Sequence, residues 1–337
     1  MKKFASLLVA FVLLCTFVFA EGETSLSFYN KVKSGIVDIS DGNASFAGIK
    51  EEVDVEYLSK SLDFWVNATA KANTVDAINS NAEDYKYFGI TDWDLDWYVE
   101  FRPWDIVTIF WHDFIATGGS YLPVEDDNVG AGNIGSSGLG ICLRPIGGLR
   151  IAAGFDFPTT FGKENESPVM NFGVDYAFGS LFSIGAAARD VANDSRSFGF
   201  YAGLNPVEGL AFTLGYATQD ANGIEDVAGK NLISFGASYG KNAFWAGFDL
   251  VTNCGEGTSN YDLYLGTDIA YTFNDSVAAD LYFMSEFDFD LDTTDSLFVI
   301  NPNVTYTTGR HTFSAGVEFD ICGNVSVSFP VYWKYAF

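Results

Sequence analysis

The sequence is poor in the side chains on which many metalloproteins and enzymes depend. Its 337 residues include two histidines, four cysteines and three methionines. Cys15 lies in an N-terminal apolar run, and Cys142, Cys254 and Cys322 are far apart without ligand-type spacing. This spacing supports neither a zinc site nor a disulfide framework, and it leaves a single bridge between Cys254 and Cys322 open.

Positive charge is also scarce. Lys and Arg number 18 against 44 Asp and Glu, so the formal net charge is −26 at pH 7. This balance argues against nucleic acid and anionic membrane surfaces as partners and favours cations. Acidic chains are often disordered, but 48% hydrophobic and 17% aromatic residues exclude disorder as the main explanation.

The N-terminus contains the one long apolar run of the sequence. Met1-Lys2-Lys3 precedes apolar residues 4 to 19, and Val18-Phe19-Ala20 matches a signal-peptidase site. Because the run is shorter than the roughly 20 residues that span a bilayer, it predicts a cleaved signal peptide rather than an anchor. Cleavage after residue 20 removes two lysines and leaves 16 basic against 44 acidic residues, a net charge of −28.

Apolar side chains recur with period two, as in "LAFTLGYA", where Leu210, Phe212, Leu214 and Tyr216 share one face. Twelve such segments have no charged residue on the apolar face. The opposite face holds mainly Gly, Ala, Ser, Asn and Asp, whereas a soluble sheet normally exposes many Lys, Glu and Thr. The pattern therefore predicts strands with one face toward lipid and the other toward the interior of a wide barrel.

Short connections alternate with longer ones along the chain, which is typical of antiparallel membrane barrels. Short turns are predicted at residues 102–105, 144–148, 178–180, 205–209, 240–242, 273–276 and 307–310. The count of strands, from residues 25–39 and 44–57 to 324–337, is eighteen, or sixteen if the first two are not both strands. An open sheet edge is too costly in hydrocarbon. We therefore expect an all-β fold, a closed antiparallel transmembrane barrel formed by residues 21–337 without a separate plug.

The signal peptide, the alternating segments, the turn pattern and a final strand ending at Phe337 together resemble a bacterial outer-membrane β-barrel of the porin type. The resemblance implies the outer membrane of a diderm bacterium and a channel for passive diffusion of small hydrophilic solutes and ions, without a cofactor. It implies outer-membrane lipid, lipopolysaccharide and the assembly machinery as partners, and leaves a homotrimer open. Trp333, Tyr335 and Phe337 resemble the terminal signal that the assembly machinery recognises.

The face opposite the apolar one is predicted to line the pore, and it is acidic. Because wall carboxylates concentrate cations, this predicts a preference for cations. The predicted basic members are Lys71, Arg102, Arg144, Arg150, Arg189 and Lys334. The predicted acidic members are Asp63, Asp94, Asp96, Glu100, Asp156, Asp175, Asp249, Asp262, Asp268, Asp280, Glu286, Glu318 and Asp320.

Two groups have more specific expectations. Arg102, Arg144 and Arg150 flank short turns and are predicted to form a basic rim, paired with nearby acids. The segment 116–137 is the third predicted external loop, which in general porins folds into the barrel and narrows it. Its residues Pro123, Glu125, Asp126 and Asp127 resemble the tip of that loop without matching its usual sequence, so an exposed surface loop is the alternative.

Other functions have weaker support. A barrel closed inside, with loops that bind host or matrix, is the main alternative, and a transporter of hydrophobic solutes is a second one. The latter would use the inward aromatic residues Trp65, Tyr98, Trp245, Tyr264 and Tyr282. A catalytic role for His112-Asp113 lacks a marked partner, and the acidic stretch 288–295 lacks the glycine and terminal Glu of an EF-hand. We expect neither an enzyme nor a metal site.

Overall fold

The computed structural model describes residues 25–40, 43–45, 49–73, 89–111, 114–117, 122–124, 134–136, 138–156, 169–192, 196–218, 231–254, 263–287, 297–322 and 324–336. Within these ranges the chain forms strands, turns and bends. No helix in this part of the chain is long and apolar enough to cross a membrane. The predicted signal peptide lies outside the described residues.

The described residues form 22 strands. In chain order they are β1 (Ser25–Ser40), β2 (Asn43–Ser45), β3 (Ile49–Leu58), β4 (Leu62–Asn73), β5 (Gly89–Trp104), β6 (Val107–Trp111), β7 (Phe114–Thr117), β8 (Ile134–Ser136), β9 (Leu139–Leu143), β10 (Leu149–Asp156), β11 (Val169–Phe178), β12 (Phe182–Arg189), β13 (Ser197–Val207), β14 (Leu210–Thr218), β15 (Asn231–Lys241), β16 (Phe244–Cys254), β17 (Leu263–Asn274), β18 (Val277–Phe287), β19 (Leu297–Thr308), β20 (His311–Gly316), β21 (Glu318–Cys322) and β22 (Asn324–Ala336).

Together they form one antiparallel barrel whose wall has eighteen strands. Each wall strand pairs with the next one along the chain, and β6 pairs with β9 because β7 and β8 form a separate hairpin between them. β20 and β21 count as one wall strand, since both pair with β19 and β22. β2 is a short addition that pairs with the end of β1. The predicted all-β closed barrel is confirmed, with the higher of the two expected strand numbers.

The barrel closes between its first and last strands. β1 pairs with β22 from Tyr29 opposite Ala336 to Ser40 opposite Ser326, with one irregularity between Gly35 and Asp38. Closure satisfies the backbone amides that two open edges would leave unpaired, and each unpaired amide in hydrocarbon costs several kcal/mol. The alternating apolar residues Val331, Trp333 and Tyr335 therefore belong to the strand that closes the barrel.

One end of the barrel has short connections throughout. Its eight turns contain two to five residues each. They are residues 59–61, 105–106, 144–148, 179–181, 208–209, 242–243, 275–276 and 309–310. β1 begins and β22 ends at this same end, which agrees with the predicted alternation of connections. We call this end the short-turn end.

The two faces of the wall differ as the alternation predicts. Phe101 (45%), Phe200 (54%), Leu214 (56%) and Val304 (53%) are exposed on the outer face. Such a continuous apolar exterior is typical of a surface that contacts lipid. The inner face carries small residues, and aromatic rings lie across some of them: a Cβ at Gly247 would be 2.7 Å from Cη2 of Trp245. Glycine therefore leaves room for rings to lie flat against the wall.

Two turn glycines allow a test of the wall's packing. Gly209 has φ +81°, and an added Cβ would overlap the backbone carbonyl oxygen of Gly240. Gly179 has φ +62°, but an added Cβ would meet nothing within 4 Å. Gly179→Ala should lower the free energy of unfolding by about 1 kcal/mol, because alanine is strained in the left-handed conformation. Gly209→Ala should lower it by about 3 kcal/mol, because a steric clash with the backbone is added to the same strain. Urea unfolding in lipid vesicles, followed by tryptophan fluorescence, measures both, and equal losses would contradict this account.

Candidate functional site: the inner wall of the barrel

Two of the three rim arginines form ion pairs on the inner face near the short-turn end. Arg102 pairs through Nη2 with Asp63 and with Glu100, at 3.0 Å for the second. Arg150 binds Asp175 through two nitrogens, at 2.6 and 2.8 Å. Asp175 is 4% exposed, so the pair compensates a buried carboxylate. These two arginines therefore neutralise wall acids and leave little net positive charge of their own.

Arg144 differs from the other two arginines. Its Nη1 donates to the hydroxyl oxygen of Thr108, and no carboxylate of the described residues forms an ion pair with it. Arg144 and Arg150 both line a cavity of about 620 Å³, together with Asp175, Tyr201 and Thr213. The cavity lies in the inner wall beside the turns that follow β9, β11 and β13. Neither Tyr201 nor Thr213 was predicted as a site residue from the sequence.

A second group of predicted pore-lining acids lies on β17 to β21. Asp268 and Asp280 are diagonal neighbours on β17 and β18, since Asp268 is directly opposite Tyr282. Asn303 donates to Asp280 at 3.1 Å, and Asn301 donates to Glu318 at 2.8 Å. Hydrogen bonds to neutral amides hold these carboxylates without cancelling their charge. In these bonds Asp280 and Glu318 therefore have neutral donors rather than a lysine or arginine.

Of the remaining predicted acids, Asp156 is the last residue of β10, and the others are placed as follows. Asp94 and Asp96 lie on β5 and are exposed, while Glu286 on β18 and Asp320 on β21 are half-buried. Asp249 on β16 is fully buried. Asp262 and the three acids of the predicted loop tip, Glu125, Asp126 and Asp127, lie outside the described residues. The roles predicted for these acids remain predictions.

The charged residues of the first strands were not predicted from the sequence pattern. The register places Lys31 opposite Glu52 and, on β3 and β4, Asp54 opposite Asn67 and Glu56 opposite Trp65. Lys31 pairs with Glu52 at 3.6 Å, and Lys50 pairs with it at 2.6 Å. The alternation of apolar and polar residues in β3 is unclear, because Glu51 places a charge on the outer face in addition to those on the inner face. The inner wall of β3 to β5 is consequently more acidic than predicted.

The segment Leu122–Val124, which we call the inner segment, packs against the inner wall. Its contacts occur where three strands carry glycine. A Cβ added at Gly236 would lie 2.7 Å from Cδ of Pro123. A Cβ at Gly247 or Gly266 would lie 2.9 or 3.1 Å from the methyl groups of Val124. Larger residues on β15, β16 and β17 would therefore displace the segment.

Asp249 holds the inner segment at the centre of these glycines. Its Oδ2 accepts a hydrogen bond from the backbone N–H of Val124 at 2.8 Å. Leu122 beside it is only 4% exposed. A buried carboxylate needs hydrogen bonds to offset its lost hydration. The Asp249 carboxylate is therefore covered by the inner segment and binds the chain, and its predicted role as a pore-lining acid remains a prediction.

The final strand has an aromatic cluster near the short-turn end. The indole Nε1 of Trp333 donates to Nδ1 of His311 at 3.1 Å, and the His311 ring is 4.8 Å from that of Tyr335. Trp333 is 39% exposed on the outer face. Amphipathic aromatic rings favour the boundary between lipid and water. Phe337, the last residue of the predicted assembly signal, lies outside the described residues.

The described residues contain no group of three or more His, Cys, Asp and Glu side chains arranged to hold a metal ion. Among the described residues, the inward aromatic side chains do not form one continuous row along the inner wall. Trp65 and Tyr98 stack with centroids 5.7 Å apart. Trp245 and Tyr264 instead lie against wall glycines.

No family model and no curated protein matches this sequence. Solved structures nevertheless share its fold. OccAB4 of Acinetobacter baumannii aligns over 94% of this chain and 98% of its own, with a TM-score of 0.60 and 12% identity. OpdL of Pseudomonas aeruginosa aligns over 94% and 99%, with a TM-score of 0.59 and 14% identity. A mutant of the Rhodopseudomonas blastica porin aligns over 94% and 100%, with a TM-score of 0.50 and 13% identity.

These proteins are outer-membrane porins. At such low identity the similarity establishes a shared fold and nothing more specific. The resemblance to porin-type barrels that the sequence predicted is therefore confirmed at the level of the fold.

Asp249 should control the position of the inner segment. In a Leu122→Cys background with Cys254 and Cys322 replaced by serine, Asp249→Ala should raise the rate of thiol labelling at position 122 by about tenfold, because it removes the acceptor for Val124. Asp249→Asn is the matched control, since its amide oxygen can still accept the bond, and it should raise the rate much less. Equal rates in all three proteins would show that Asp249 does not hold the segment.

Proposed function

We propose that this protein is an outer-membrane channel for passive diffusion of small hydrophilic solutes and ions, with a preference for cations. The observation that carries the proposal is a closed eighteen-stranded barrel with an apolar exterior and a polar, acidic inner wall. A polar inner wall is typical of barrels that surround water. The likeness of fold to porins from three bacteria supports this assignment and the outer-membrane location.

The distribution of charge supports a preference for cations. At the short-turn end, Arg102 is shared by Asp63 and Glu100, and Arg150 is matched by Asp175. On β18 and β21, Asp280 and Glu318 accept hydrogen bonds from amides and a hydroxyl, as in the bond from Ser328 to Glu318 at 3.4 Å. Net negative charge along a wall raises the local concentration of cations and lowers that of anions.

The inner segment supports a narrowed pore. Leu122–Val124 occupies space on the inner side of β15 to β17, and Glu125, Asp126 and Asp127 follow it directly in the sequence. A segment on the wall reduces the cross-section open to solutes, and acids beside it would act where the field is strongest. The proposed constriction therefore comprises the inner segment and the three acids that follow.

The charge preference can be tested in planar bilayers with a KCl gradient. The wild-type reversal potential should have the sign of cation preference. The triple variant Asp268→Asn, Asp280→Asn, Glu318→Gln should move it toward zero by roughly a third to a half, because three wall charges are lost. Glu51→Gln is the control, since Glu51 is an exposed acid on the opposite face of β3. Anion preference in the wild type would contradict the selectivity, and absence of steady conductance would favour a structural or adhesion barrel.

The role of the C-terminus in assembly has its own test. Deletion of Phe337 should reduce the amount of barrel in the outer membrane, while the conductance of those channels that do insert should stay unchanged. Lys334→Ala is a suitable control because Lys334 lies in the same strand on the inner face, opposite Lys31. Quantitative immunoblots of outer-membrane fractions provide the measurement. Normal levels after the deletion would show that Phe337 is not needed for assembly.

A further inference from the structure

A stacked pair of aromatic rings lies on the inner wall of β4 and β5. Trp65 and Tyr98 are direct partners across the two strands. Their ring centroids are 5.7 Å apart and their planes differ by 27°. Both side chains are half-buried, so part of each ring stays accessible from inside the barrel.

Two other inward aromatic residues, Tyr264 and Trp245, pack against the wall instead of stacking on each other. Tyr264 is only 4% exposed, and its hydroxyl would be 2.8 Å from a Cβ at Gly266. Trp245 lies against Gly247 in the same way. These rings fill the space above wall glycines. Trp65 instead has Glu56 and Tyr98 as its direct cross-strand partners, so its neighbours on the wall are side chains and not glycines.

The orientation of Trp65 is set by a buried acid. Its indole Nε1 donates to Oδ2 of Asp54 at 2.7 Å. Asp54 is 7% exposed, so its carboxylate depends on such hydrogen bonds. A ring held from one edge is pre-organised for contact through its remaining surface.

Carboxylates surround this pair. The register places Glu56 directly beside Trp65, and Asp96 and Glu100 lie two positions before and after Tyr98 on β5. Arg102 is the cation nearest in the register and is shared by Glu100 and Asp63. Glu56 accepts from the hydroxyl of Ser27 at 3.3 Å and forms no ion pair with a cation of the described residues. The rings therefore lie in a region of net negative charge.

Aromatic faces and carboxylates attract the same kind of group. A ring quadrupole is negative at its face and attracts an ammonium or guanidinium ion, and nearby carboxylates add to this attraction. An apolar body attached to the cation would at the same time cover the accessible ring surface. An inorganic cation uses only the charge, and a neutral aromatic molecule uses only the rings.

From this arrangement we infer that Trp65, Tyr98 and Glu56 form a binding surface for organic cations, namely solutes that join an ammonium group to an apolar or aromatic body. The inference rests on the proposed channel function and names the class of solute that the wall retains. Asp54 is a positioning residue, since it acts by holding the indole.

The test is equilibrium binding to the purified full chain in detergent micelles, measured by isothermal titration. The probes are 2-phenylethylammonium, its neutral analogue 2-phenylethanol, and ethylammonium, which lacks the ring. The first should bind about tenfold more tightly than either of the others, because it alone uses both the rings and the charges. Equal binding of 2-phenylethanol would overturn the proposed role of charge. Glucose binding that depends on both rings, without binding of the cation, would overturn the class of solute.

Variants locate the surface. The double variant Trp65→Leu, Tyr98→Leu should lower the affinity for 2-phenylethylammonium about tenfold, to that of ethylammonium. Glu56→Gln, a nearly isosteric change, should lower it severalfold. Tyr282→Leu, which removes an inward aromatic residue on β18, should leave it unchanged. Folding of each variant is checked by its compact electrophoretic mobility before heating. Unchanged affinity in both the double variant and Glu56→Gln would overturn the inference.

A separate bilayer measurement keeps this inference distinct from the channel function. Steady conductance without binding of 2-phenylethylammonium would contradict the binding surface and leave the channel intact. Binding that depends on Trp65 and Tyr98, in a protein without conductance, would support the surface and contradict the channel.

Discussion

The structure depends on one constraint, which is that every backbone N–H and C=O within hydrocarbon must find a partner in the protein. A sheet meets this requirement only if it has no edge. The pairing of β1 with β22 over residues 29–40 and 326–336 is therefore the contact that makes the other strand pairs compatible with lipid. It also gives a reason for the alternating apolar side chains of β22, since this strand completes the wall.

In a closed barrel the inner and outer faces have different environments and therefore need different side chains. The outer face needs only apolar surface, and large side chains such as Phe200 and Leu214 supply it. The inner face has to accommodate curvature, rings, charges and the inner segment in a limited space. Glycine at positions 236, 247 and 266 is the clearest case, because its missing side chain is what lets Pro123 and Val124 approach the wall.

Charge on the inner wall is arranged in two ways. Arginines near the short-turn end are tied to acids, as in the bidentate pair of Arg150 and Asp175. Acids farther around the barrel are held by neutral donors such as Asn301 and Asn303. The first arrangement stabilises the wall with little effect on its net charge. The second keeps negative charge in place, and it is the physical basis of the cation preference we propose.

The sequence by itself determined the fold class, the position of most turns and, in strands with clear alternation, the face on which charged side chains lie. These properties follow from a side-chain period of two and from local turn chemistry, which depend on neighbours in the chain. Strand alternation was clear at residues 210–217 because one face is uniformly apolar. It was obscured at residues 49–58 because Glu51 charges the outer face too, so Glu52, Asp54 and Glu56 were overlooked.

Only the tertiary structure decided which residues act on one another. Asp249 and Val124 are far apart in the sequence, and no local pattern predicts the hydrogen bond between them. Trp65 and Asp54 are diagonal neighbours on β3 and β4, and only the register of these strands brings the indole to the carboxylate. Periodicity likewise could not separate an acid covered by the inner segment from one that faces the solvent. Such distinctions depend on how far around the barrel two strands lie and on what packs against them, which is settled by closure and packing rather than by local sequence.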